Sequence, residues 1–104
     1  MSNERLSEQY RIIAKQWVSA DAAAHLLEEC KTPTLSQKML ALGEMPVSKA
    51  EMIVKASDEW HDYIKVMVAA RERANLLKVQ CKYIDMQSHE QQSHEASKRA
   101  EMRL

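Results

Sequence analysis

Apolar residues recur early in the chain at Leu6, Tyr10, Ile13, Trp17, Ala20, Ala24 and Leu27, in alternating steps of four and three. That spacing lays a heptad seam along one helical face and predicts a single helix over residues 4–31. Ser19 and Asp21 are capping residue types, but no Gly or Pro enforces a break between them. Thr32-Pro33-Thr34 predicts the stop, because Pro disfavours helical backbone in the residue before it and cannot continue the hydrogen-bond ladder. A short helix is expected over 35–42, capped by Thr34 or Ser36, with Met39, Leu40 and Leu42 as its apolar face. Gly43 then stands where a left-handed C-terminal cap is wanted.

After the connection Glu44–Val47, Ser48-Lys49-Ala50-Glu51 matches a capping box and predicts the next helix start. From there the seam reads Ile53, Ala56, Trp60, Tyr63, Met67, Ala70, Ala74, Leu77, Cys81 and Ile84, again in steps of three and four. No Gly or Pro follows Pro46, so one rod of roughly 80 Å is expected to run to about Arg103. Past Met86 the seam positions become Ser88, Gln91, Glu95 and Lys98. Residues 87–104 are therefore read as a polar extension, helical or frayed, of a hairpin domain over 1–86.

The fold expected is all-α: an antiparallel helical hairpin with a short connecting helix, a very long C-terminal helix and coiled-coil-like packing. Pairing outward from the connector sets Leu27 near Ala56, Ala24 near Trp60, Trp17 near Met67, Ile13 near Ala70, Tyr10 near Ala74 and Leu6 near Leu77. Large residues then meet small ones, as dense packing requires. The long helix carries a second apolar set, Val66, Val68, Ala69, Leu76, Val79, Tyr83 and Met86, and a helix apolar on two sides needs two neighbours. A homo-oligomer is expected, a dimer before others, with Val66, Leu76, Val79, Tyr83 and Met86 at its interface.

Composition narrows the function. With 104 residues, one Gly, two Pro and no Phe, the chain has room for one small helical domain and little from which to build strands. Fifteen basic residues balance fifteen acidic ones, so no global field draws it to nucleic acid or anionic lipid. Apolar runs are far shorter than the roughly 20 residues of a membrane span, and Met1-Ser2-Asn3-Glu4 lacks a secretory pattern, so a cytoplasmic protein is expected. Cys30 and Cys81 have no metal-ligand spacing and read as reduced thiols; the hairpin holds them too far apart for an intrachain disulfide.

Candidate chemistry is sparse. Ser-His-Glu occurs at Ser88-His89-Glu90 and Ser93-His94-Glu95, but neighbouring helical residues point about 100° apart and cannot form a catalytic relay. Asp58, His61 and Asp62 lie within one turn, with His25 and Glu28 the faint second half of a metal site; surface ion pairing is the stronger reading. No Gly-rich phosphate loop exists. No catalytic residue, cofactor or metal is expected. Arg71, Lys78 and Lys82, extended by Lys98, Arg99 and Arg103, form the one basic stripe that nucleic acid could use, but charges flanking a coiled-coil seam explain it without nucleic acid and are the stronger reading.

From Ala69-Ala70-Arg71-Glu72-Arg73-Ala74 through Ala96-Ser97-Lys98-Arg99-Ala100-Glu101-Met102, the last third resembles the C-terminal helices of small prophage-encoded proteins found near recombination genes. The resemblance carries no functional residues and implies an accessory protein that works by binding. The expectation is a non-enzymatic helical interaction protein, oligomeric, that engages a partner protein. The alternative is a nucleic-acid accessory factor using the basic stripe.

Overall fold

The computed structural model describes residues 3–102, with side-chain surroundings from Arg5 onward. Four helices follow in order: α1 (Asn3–Glu29), α2 (Lys31–Ala41), α3 (Val47–Lys55) and α4 (Asp58–Met102), with no strand among the described residues. The all-α hairpin with a very long C-terminal helix is thus the fold adopted. Its contacts form two compact units, a central one of Ala20–Arg73 and a terminal one joining the chain up to Ser19 with that from Ala74 onward.

In the central unit, α1 gives way to α2 across a single residue. The Cys30 amide still donates to the Leu26 carbonyl at 2.9 Å, while the Cys30 carbonyl accepts from Thr34 at 2.9 Å. α2 therefore begins before Pro33, not after it, and neither Thr34 nor Ser36 caps it. Pro33 falls in the first turn, where a missing amide hydrogen costs no intrahelical bond. At the other end Gly43 adopts φ +90°, the left-handed cap its position predicts.

α3 corrects a second expectation. Its N-cap is Pro46, whose carbonyl accepts from Lys49 at 3.1 Å and Ala50 at 3.0 Å, and no side chain caps it. Ser48 therefore lies inside the helix and the capping box does not form; Glu51 pairs instead with Lys55 at 2.7 Å.

The helix then ends at Lys55, and the expected rod from residue 48 is broken. Ser57 Oγ accepts the Trp60 amide at 3.2 Å and donates to the Val54 carbonyl at 2.6 Å. Asp58 and Glu59 follow in the first turn of α4, where acids favour the positive helix end. Ser57 thus starts a new helix with no Gly or Pro to announce it. Ala50 and Val54 face inward from α3, so Ile53 and Ala56, both exposed, drop out of the long seam.

The break moves the register. Tyr63 Oη donates to the Leu27 carbonyl at 2.6 Å, so Leu27 lies level with Tyr63 and not with Ala56. Within the terminal unit Ile13 lines one groove with Gln80 and Ile84, and Leu6 lines another with Ile84 and Ser88. In the central unit the expected partner of Leu27 is therefore seven residues out. A heptad pattern is unchanged by a seven-residue slip, so the length of the connector decides, and α3 takes residues that had been assigned to the rod.

Most of the remaining seam residues nonetheless turn inward, though Tyr10, expected in the seam, is exposed. Ala24 and Trp60 are buried in the central unit, and Leu6, Ala74, Leu77, Cys81 and Ile84 in the terminal unit. Trp60 stacks on Tyr63 with ring centroids 5.6 Å apart and planes 10° from parallel. Trp17 is half-buried. Cys30 and Cys81 are both free thiols, and burial pushes the Cys81 thiol above its ordinary pKa.

Candidate interaction surface

On each long helix, residues that follow a seam position fall along one flank and residues that precede one fall along the other. On the following flank of the central unit, Arg71 reaches Asp21 with Nη1 at 2.6 Å, and Glu28 with Nε at 2.9 Å and Nη2 at 2.7 Å. The fork on Glu28 is bidentate, the geometry in which guanidinium and carboxylate bind best. Arg71 holds the Glu28 carboxyl below its usual pKa, and the two carboxylates raise that of Arg71. Lys38 similarly lowers Glu59 through a 2.8 Å contact from α2 to α4.

This arrangement compensates Arg71, the head of the basic stripe. Lys78, Lys82, Lys98 and Arg99 are exposed, and Arg99 Nε lies 3.5 Å from the Glu95 carbonyl one turn back. Arg103 lies outside the described residues.

The preceding flank of the terminal unit is apolar. Gln9, Ile12 and Ile13 of α1 and Val79, Gln80, Tyr83, Ile84 and Gln87 of α4 line a groove of about 550 Å³. Leu76, Val79, Tyr83 and Met86 form a second run at steps of three, four and three along α4. With Val66 of the central unit they are between 56% and 62% exposed. Side chains of this kind lose roughly 1.5–3 kcal/mol of transfer free energy each by staying in water. Tyr83 also accepts a hydrogen bond from Gln87 Nε2 at 3.3 Å, which holds the ring along the groove edge.

Periodicity named the α4 side of this surface, but Ile12 and the glutamines escaped it. Their signal was positional: each stands one residue before a seam position, beside the partner helix.

Other candidate groups stay apart. Asp58, His61 and Asp62 are exposed, His25 pairs with Glu29 at 3.6 Å, and Glu28 is engaged by Arg71. Among the described residues no three of His, Cys, Asp and Glu gather as a metal-binding group. His89 lies 3.5 Å from Asp85 one turn earlier, and His94 and Ser93 are exposed. No helix among the described residues is long and apolar enough to cross a membrane.

No family model matches the chain, and neither a curated protein nor a solved structure shows significant similarity to it.

Proposed function

We propose that this is a non-enzymatic helical interaction protein: it self-associates through its exposed apolar surface and offers the free end of α4 to a partner protein. The observation that carries the reading is the second run Leu76, Val79, Tyr83 and Met86, which lies in water in the single chain. A helix apolar on two sides is built for two helical neighbours, and α1 covers only the first. Leu6, near the start of α1, packs beside Ile84 and Ser88, so about four turns of α4 beyond Ser88 extend past it. Those turns are mostly polar and exposed, with Gln91 and Glu95 half-buried, a surface for recognition more than for core formation.

The test is recovery of the full chain from its native host, followed by direct binding of each captured protein, purified, to the purified chain. Stoichiometric binding lost in a Lys98→Glu, Arg99→Glu variant supports the reading. Salt-sensitive nucleic-acid binding, with no protein bound, refutes it in favour of the basic stripe.

A further inference from the structure

The apolar groove of the terminal unit has three properties that together define what fills it. It runs between α1 and α4, with Ile12, Ile13, Val79, Tyr83 and Ile84 on its walls. It is uncharged, although 29% of the chain is Asp, Glu, Lys or Arg. Its polar rim is made of the amides of Gln9, Gln80 and Gln87 with the Tyr83 hydroxyl, groups that both donate and accept.

An uncharged surface cannot recruit a phosphate backbone, which is held by cations. It is well suited to meeting itself. A two-fold contact sets the same patch against the same patch, so any charge on it would face its own sign. An amide both donates and accepts, so glutamine rims from two copies satisfy one another in any local arrangement.

Area points the same way. Ile12, Leu76, Val79, Tyr83 and Met86 together offer roughly 500 Å² of apolar surface, and the amide rim brings this near the about 800 Å² per partner of a stable interface. The core that would otherwise hold the terminal unit is thin: among the described residues five are buried, and of these Ala74 and Cys81 are small while Leu6, Leu77 and Ile84 are large.

We infer that a second copy of this chain occupies the groove, the two terminal units packing about a two-fold axis as a four-helix bundle with Tyr83 and Ile12 at its centre. This rests on the self-association proposed above and assigns it to one face. The opposite flank, carrying Lys78 and Lys82, stays in water in the dimer.

Sedimentation of the full chain across the micromolar range tests it. The wild type is expected to be dimeric. Tyr83→Glu and Ile12→Glu should each weaken the dimer more than about tenfold, as charges placed at an interface centre do, while Lys82→Glu leaves it intact. Both positions are exposed in the single chain, so helicity by circular dichroism should be retained. Should a glutamate variant unfold, concentration-dependent NMR shifts at Ile12, Val79 and Tyr83 of the wild type read the same contact. A dimer of unchanged affinity in both glutamate variants, or no shift at those residues on dimerisation, overturns the groove assignment and leaves self-association standing. A monomer at every concentration overturns both.

Discussion

Removing one oxygen atom tests the register of the hairpin. The last carbonyls of α1 have no intrahelical donor, and Leu27 is among them. Tyr63 supplies the missing donor from α4 at 2.6 Å, while its ring stacks on Trp60. Tyr63→Phe keeps the ring, the stacking and the seam, and removes only the hydroxyl. The site is half-buried, so water can partly replace the lost donor, and the cost should be about 1 kcal/mol. For a domain of this size that lowers Tm by about 4 °C. Tyr63→Leu loses the stacking as well and should fall further, by about another 1 kcal/mol. Thermal unfolding followed by far-UV circular dichroism reads both, at one fixed chain concentration, because self-association raises Tm with concentration. Hydrogen exchange should also quicken at the Cys30 and Thr34 amides, which close the α1–α2 junction. A Tyr63→Phe protein that melts with the wild type, its junction amides equally protected, would refute the bond and the register built on it.

Ser57→Ala should cost about 1 kcal/mol by uncapping α4, and Ser57→Asp should recover most of it because Asp caps equally well; urea unfolding midpoints read the difference. Gly43→Ala should cost about 1–2 kcal/mol through its φ of +90° alone, since nothing lies within 4 Å of the added methyl, and Gly43→Asn should cost less in the same assay. Glu28 and Glu59 have folded pKa values below their usual 4.5, so they add stability above that pH and lose it as pH falls through the lower, folded values. An acid titration of Tm should therefore drop below about pH 4.5, and more shallowly in Arg71→Met, which removes the cause of the Glu28 shift; equal slopes in the two proteins would contradict this.

Much of the fold was legible because one kind of signal, heptad spacing, is dense in this chain. It placed α1 as a single helix and named the inward residues Leu6, Ala24, Trp60, Ala74, Leu77, Cys81 and Ile84. Gly43 was legible for a different reason: a lone glycine after an apolar helical run has few other uses. The α3–α4 break was less legible because no Pro or Gly marks it. Ser57-Asp58-Glu59 carries the signal, a capping hydroxyl followed by two acids, and it outweighs an apolar spacing that continues smoothly through Ile53 and Ala56. The Ser48 capping box failed conversely: Pro46, two residues earlier, begins the helix first and leaves Ser48 with no orphan amide to cap.

The register itself was written in the flanks. A slip of one heptad leaves the seam composition unchanged, so apolar spacing cannot choose between registers. Charge can. In the observed register Arg71 lies between Asp21 and Glu28 and binds both. One heptad back it would face Ala14 and Asp21, losing one carboxylate and the bidentate fork. The difference is small for partly exposed groups, about 1 kcal/mol or less, but it acts where the seam is indifferent, and the fixed length of α2 and α3 acts in the same direction. In the central unit the ion pairs that close one flank of the seam therefore also hold its register. In the terminal unit, taken by itself, the flank preceding the seam presents Ile12, Val79 and Tyr83 between glutamines, an uncharged face still open to a neighbour.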